Sequence, residues 1–311
     1  MLNRRSFLAL PPALFAARAF AQTATDSWQF QFPLGLEGRI PGEGVFVMHG
    51  YAVENAKFYP GLWHTGENWY ALHGDSAGAL VYATAAGEVI FAGYDYPGTV
   101  VIIEHTEDLF SQYGHLDYDV NVEVGQQVNR GDVIGTVLQR EAPRSHLHFE
   151  LRNFLTNPEV NGEVPRYSYF HCGPNCPPGP GYWPMDAPEH PSAMGWRNPL
   201  HVIGTRMGVP TGAEVMVPPD NRNPLLLFAG LEDHNHTASV LLAGGTRLPL
   251  IAVSAGPEAS ETYGANATSL WFQVEVPEFG AMWVPAISPT MHAIQQDGQT
   301  TSYTFNLIPV L

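Results

Sequence analysis

Three short segments carry the side chains best suited to chemistry: His64-Thr65-Gly66-Glu67-Asn68, Tyr113-Gly114-His115-Leu116, and Ser145-His146-Leu147-His148-Phe149-Glu150-Leu151. In an extended strand alternate residues share a face, so His146 and His148 project to one side while Leu147, Phe149 and Leu151 project into a core. The four-residue spacing of His64 and Asn68 likewise places both on one face if that segment is extended. A neutral imidazole is a good ligand for a borderline ion such as Zn²⁺, and a catalytic zinc takes three protein ligands and a water. Two further imidazoles would then be available to orient or deprotonate that water and to stabilise an oxyanion.

Such side chains need rigid elements beneath them. From about Gly44 to Arg152 the sequence is a series of short β-branched runs: Val89-Ile90-Phe91-Ala92, Val100-Val101-Ile102-Ile103, Val133-Ile134-Gly135-Thr136-Val137 and Leu147 to Leu151. Turn signals such as Val124-Gly125 and Arg130-Gly131 separate them, and nothing of helical length and period intervenes. An all-β domain is expected. Residues 153–199 differ, because prolines crowd there with Tyr167, Tyr169, Tyr182, Trp183 and Trp196. This excursion reads either as a self-packed surface loop or as one wall of a substrate groove. From about Gly208 strand-like runs return at Pro224 to Phe228, Val240 to Leu242, Leu248 to Val253, Leu270 to Val276 and Met282 to Val284, suggesting a second small β domain. Alternation at Tyr303-Thr304-Phe305-Asn306-Leu307 predicts a final edge strand.

Taken together and in this order, the three histidine segments resemble the lysostaphin-like zinc endopeptidases, or M23 peptidases, which cleave peptide bonds in bacterial cell walls. The resemblance covers roughly residues 44–152 and includes Val81-Tyr82-Ala83-Thr84-Ala85-Ala86-Gly87-Glu88-Val89 and the hairpin Val124 to Gly135, with Asn198-Pro199-Leu200 similar to the family's closing segment. It implies a lysostaphin-type flattened β-sheet or barrel sandwich as the peptidase domain, over residues 22–205, and peptidoglycan peptide or another extracytoplasmic peptide as substrate. By position, the resemblance makes His64 and His148 ligands of one Zn²⁺ ion and His115 and His146 the catalytic pair. The family's remaining ligand is an aspartate, and here that position is Asn68. An amide oxygen is a neutral and weaker donor than a carboxylate, so metal affinity should fall. Glu67 is at an odd offset from His64 and would face away from it in a strand, whereas Asp75, in His73-Gly74-Asp75, could fold back if the intervening loop turns. Three states stay open: an active enzyme with His64, Asn68 and His148 as ligands, an enzyme with a replacement acid, and a zinc-poor domain that binds cell-wall peptide or activates a hydrolase without cutting. The segment from about Thr211 to Ile287 more faintly resembles bacterial SH3-like modules, through Leu241 to Thr246, Trp271 to Val274 and the closing Gly280-Ala281-Met282-Trp283-Val284. This gives a second domain over residues 206–311, in which Trp271 and Trp283 read as core.

Composition narrows the alternatives. The 311 residues hold 14 Lys plus Arg against 30 Asp plus Glu, a net charge of -16, which disfavours nucleic acid and anionic membrane as partners. Lys57 is the only lysine, so Schiff-base chemistry or a Ser/Lys dyad would have to use it. The Gly125 to Gly135 hairpin text also occurs in biotin and lipoyl carrier domains, but those need a lysine at a hairpin tip, and Lys57 precedes the whole barrel. At the N-terminus, Arg4-Arg5-Ser6-Phe7-Leu8 and an apolar run ending in Ala19-Phe20-Ala21 read as a twin-arginine signal peptide over residues 1–21. Its removal would bring the balance to -19 and place the chain in the periplasm, the cell envelope or outside the cell. No other stretch is apolar for the roughly 18 residues that a membrane span requires. In such an oxidising compartment Cys172 and Cys176 favour a disulfide, with half of a metal site as the alternative. His234-Asn235-His236 lacks a nearby partner and reads as a solvated loop.

Overall fold

The computed structural model describes residues 29–55, 59–95, 98–106, 108–141, 145–166, 173–258, 270–289 and 302–310. The signal segment, Lys57, Tyr167, Tyr169 and Cys172 lie outside these. The expected all-β architecture is what the described chain adopts: 23 strands and a single described helix, Pro199–Arg206.

A 10-stranded antiparallel sheet organises the molecule. Its order runs Gln127–Val128, Gly87–Asp95, Gly98–Thr106, Leu109–Leu116, Leu147–Arg152, Glu67–Ala71, Val45–Met48, Tyr303–Phe305 and Ile287–Pro289, with Trp196–Arg197 also pairing Leu147–Arg152. Strand alternation explains how one run fills two cores. Val101 and Ile103 belong to the main apolar cluster, while Val100 and Ile102 face the other way and pack with Phe110, Phe91 and Leu155. Being buried on both faces, the strand reads as a continuous β-branched run rather than an apolar–polar alternation.

The same alternation governs Leu147–Arg152. Leu147, Phe149 and Leu151 enter the main core as the pattern predicts. The opposite face, read as the one that carries the chemistry, is also buried: His148, Glu150 and Arg152 are all covered. Their cover is the Pro- and aromatic-rich excursion, which is neither structureless nor merely self-packed. Its Tyr182–Pro184 strand pairs with Tyr59–His64, its Trp196–Arg197 strand pairs with Leu147–Arg152, and Trp183, Trp196 and Val160 form a second core with Tyr51 and Ala52.

The helix, not anticipated from the sequence, has clear local causes. Asn198 is its N-cap, accepting from the His201 amide, and Pro199 supplies a preset φ at the first position. Beyond it, five strands form a second antiparallel sheet in the order Gly280–Pro285, Leu270–Val276, Arg247–Ala255, Glu214–Met216 and Ile308–Val310. Leu225–Leu227 pairs with Ala238–Val240, so the expected strand at Val240-Leu241-Leu242 ends at Val240, and Leu241 is exposed. Trp271 and Trp283 are half-buried rather than core, with Trp271 edge-on to Phe228 at 5.1 Å. The final stretch supplies more than an edge. Tyr303–Phe305 inserts between Val45–Met48 and Ile287–Pro289 in the large sheet, while Ile308–Val310 closes the second.

Candidate active site

His64 and Asn68 do meet, though not along one extended segment. His64 ends the Tyr59–His64 strand, the chain bends at Thr65-Gly66, and Asn68 lies on Glu67–Ala71 in the large sheet. The bend needs glycine because a Cβ at Gly66 would sit 2.4 Å from the Phe149 carbonyl oxygen. Asn68 is then set opposite His148 by register, and His148 is in turn opposite Gly114. Two backbone bonds, His64 N to Val53 O and Ala52 N to His64 O, both 2.8 Å, fix the strand that carries His64.

Three donor atoms converge here. His64 Nε2 lies 3.2 Å from His148 Nδ1, which lies 3.1 Å from Asn68 Oδ1. The remaining ring nitrogens have other neighbours: His64 Nδ1 is 3.2 Å from the Gly50 carbonyl, and His148 Nε2 is 2.9 Å from Glu150 Oε1. Each of these neighbours can only accept, so each of those nitrogens carries the proton. The nitrogens facing inward therefore present lone pairs to one another and to an amide oxygen, an arrangement that calls for a cation between them. A tetrahedral ion with bonds of about 2.0–2.1 Å separates its donors by about 3.3–3.4 Å. The His64–His148 and His148–Asn68 separations, 3.2 and 3.1 Å, lie close to what such an ion requires. Among the described residues no group of three or more His, Cys, Asp or Glu side chains has metal-holding geometry; the third donor here is the amide.

Burial, followed by the charges of His148 and His49, holds the His64 imidazole well below its ordinary pKa, which keeps it neutral and able to ligate. Burial works to raise Glu150, but the hydrogen bond and charge of His148, the charge of Arg152 and the Thr65 hydroxyl outweigh it and hold the carboxyl at about 2.

The other two histidines stand beside this cluster. The His115 and His146 rings meet edge to face at 4.5 Å between centroids, and His115 is 6.4 Å from His148. His146 stacks on Tyr70 at 4.7 Å, and Arg140 Nη1 lies 3.4 Å from both ring nitrogens of His115. Both imidazoles are partly exposed, unlike the buried His64 and His148. His115 adopts φ +62°, in the left-handed region that costs a non-glycine residue about 1–2 kcal/mol. Asparagine tolerates that region better, so His115→Asn should leave stability unchanged or raise it by up to about 1 kcal/mol. Chemical denaturation checks this; a loss of more than about 1 kcal/mol would mean that the ring's packing outweighs its backbone strain.

Of the alternatives to Asn68, Glu67 does face away as expected, accepting from Trp69 Nε1, the Leu200 amide and Tyr303 OH. Asp75 does not fold back. It is exposed and accepts from the Ala77 amide in its own turn. His234 and His236 are exposed, as expected of a solvated loop. Cys176 is disulfide-bonded.

Sequence reasoning missed Thr65, Glu150, Gly181, Tyr182 and Trp196. The Tyr182 ring lies 5.3 Å from that of His64, the Gly181 carbonyl accepts from the Thr65 amide at 3.1 Å, and a Cβ at Gly181 would lie 3.2 Å from the His148 ring. The signal for Glu150 was present, two residues beyond His148 and hence on its face. For Gly181 and Tyr182 there was none, since they reach the site only through the pairing of Tyr182 with His64.

Comparison with known proteins agrees with the segments quoted above. Residues 64–162 match peptidase family M23. Lipoprotein NlpD of Yersinia enterocolitica is 35% identical over 79 residues, covering 25% of this chain and 80% of that protein. The murein hydrolase activator NlpD of Escherichia coli is 37% identical over 79 residues, covering 25% and 21% respectively. The uncharacterized lipoprotein YgeR of the same organism is 35% identical over 77 residues, covering 24% and 30%. The chain spans less than a third of the length of YgeR and of the Escherichia coli NlpD. Among solved structures, a zinc-containing peptidase from Vibrio cholerae is 26% identical with a TM-score of 0.31, covering 40% of this chain and 36% of that one. Lysostaphin from Staphylococcus simulans is 14% identical with a TM-score of 0.33, covering 85% and 94%.

Proposed function

Because the chain belongs to peptidase family M23, we propose that it is an exported zinc endopeptidase that hydrolyses peptide bonds of bacterial cell-wall peptidoglycan. The observation that carries this reading is the convergence of His64 Nε2, Asn68 Oδ1 and His148 Nδ1 beside the paired rings of His115 and His146. His64, Asn68 and His148 would hold one Zn²⁺, which when bound supplies Lewis acidity to a substrate carbonyl and acidifies water. His115 and His146 take the proton of the attacking water, donate a hydrogen bond to the oxyanion and return the proton to the leaving amine. Tyr70, stacked on His146, fixes that ring's plane. The buried His64–Tyr182 side closes the site to water, so substrate approaches over His115 and His146, where the site is partly exposed.

The twin-arginine signal is part of the same proposal, as is an SH3-like module over residues 206–311. Among the described residues no helix is long and apolar enough to cross a membrane. A second reading is favoured by one observation, the neutral oxygen at Asn68: a domain that binds wall peptide or activates a hydrolase without cutting. The murein hydrolase activators among the relatives support keeping it. The two readings part on elemental zinc analysis together with release of soluble peptide from purified peptidoglycan. The enzyme reading expects close to one zinc per chain and peptide release, both abolished by His148→Ala. Retention of wall material without zinc and without release would establish the second reading instead.

A further inference from the structure

We propose that Glu150 is a positioning residue for the metal centre and that Thr65 and Trp196 lock it in place, so that the Pro- and aromatic-rich excursion completes the centre. This rests on reading His64, Asn68 and His148 as metal ligands. Glu150 has both oxygens committed. Oε1 accepts from His148 Nε2 at 2.9 Å and from Thr65 Oγ1 at 2.7 Å, while Oε2 accepts from Trp196 Nε1 at 3.2 Å. Arg152 Nη1 is farther, at 3.8 Å, so the His148 ring is the nearer partner of Glu150. The carboxylate is fully buried, and water cannot substitute for any of these donors.

The three donors come from three parts of the chain: the ligand strand itself, the bend after His64, and the excursion. Removing any of them leaves the carboxylate with two donors and holds it less firmly. While it is held, His148 must carry its proton on Nε2, and its Nδ1 lone pair must face His64 and Asn68. The carboxylate has a second consequence. Two neutral imidazoles and an amide bring no formal negative charge to a divalent ion, and Glu150 supplies one through the His148 ring. The position of Gly181 against His148 belongs to the same buttress, because a side chain there would displace the ring from Glu150.

The test uses the full chain with Zn²⁺ alone as probe, and ¹⁵N NMR of the His148 ring in the metal-free protein. Glu150→Gln should lower zinc affinity about 10- to 100-fold. Trp196→Phe and Thr65→Val keep shape and lose one donor each; both should weaken zinc binding by a smaller factor, with little further loss when combined with Glu150→Gln. His148 of the metal-free wild type should be the Nε2–H tautomer, and each variant should shift it toward a mixture. An Nδ1–H tautomer in the wild type would overturn the assignment, as would variants that leave both tautomer and zinc affinity within twofold. If the wild type binds no zinc while His148 remains Nε2–H, the metallopeptidase reading fails and the role of Glu150 in holding His148 stands. A purely structural Glu150 would lower the unfolding midpoint without moving the tautomer, and that result also overturns the proposal.

Discussion

Asn68→Asp should raise zinc affinity by at least about 100-fold, or about 2.7 kcal/mol. Asn68 is buried and its Oδ1 already points at His148 Nδ1, so the change replaces a neutral oxygen with a charged one at nearly fixed geometry. At 2 Å from a divalent ion the Coulombic gain is many times that figure even at an effective dielectric of about 20, and desolvation of the new carboxylate consumes most of it. The cost appears by itself in the metal-free protein. A buried carboxylate is introduced where an amide was accommodated, so stability without zinc should fall by about 1–3 kcal/mol. Stability with saturating zinc should exceed that of the wild type by the linkage term. Competition titration and zinc-dependent thermal unfolding measure the two effects. Equal affinities would mean that Asn68 Oδ1 is not a ligand. If only the variant releases wall peptide, the native chain is a degenerate relative, and its function lies in binding or activation.

The parts of this site that were legible in the sequence are those set by strand periodicity. His148 and the core-facing Leu147, Phe149 and Leu151 follow from alternation alone, and the all-β reading followed from β-branched runs cut by glycine. His64 and Asn68 were paired for an incomplete reason. Their spacing suggested one extended face, whereas a bend at Thr65-Gly66 and the register of Asn68 with His148 bring them together. What alternation could not reveal was depth. It marked the polar face but not its burial: Glu150 and Arg152 are covered by a segment whose proline content hid two strand pairings. Long-range pairings of this kind depend on which edges remain free once the sheet has formed, and no local pattern encodes that. The left-handed backbone of His115 was equally invisible, because only tertiary context forces a non-glycine residue there.

Glu67→Gln should remove a decline in stability of about 3 kcal/mol that the wild type undergoes as pH rises from about 4.5 to about 7. Glu67 is fully buried on the side of its strand away from Asn68's donor oxygen. Burial raises its carboxyl to about 7, more strongly than Tyr303, the Leu200 amide and Trp69 lower it. The folded state therefore holds a proton that the unfolded chain releases near 4.5. Its contribution to stability is complete below that value, shrinks across the window, and is lost above about 7. A shift of this size corresponds to about 3 kcal/mol. His105 acts with the opposite sign. Burial lowers its imidazole to about 4, so its contribution is complete above its ordinary value of 6.5 and is lost as pH falls toward 4. The two slopes oppose each other between about 4.5 and 6.5 and flatten the wild-type profile, which is why the difference between proteins is the informative quantity. Glutamine keeps the acceptor for Tyr303 OH but adds a buried donor, which lowers stability by a constant of about 1–3 kcal/mol without creating a slope. Urea denaturation at intervals from pH 4.5 to 8 should show the variant gaining on the wild type through the window and running parallel to it above pH 7.5. Parallel curves throughout would mean that Glu67 is ionised in the fold. The bonds from Tyr303 on the C-terminal strand and from Leu200 at the start of the helix would then hold a carboxylate there, despite its burial.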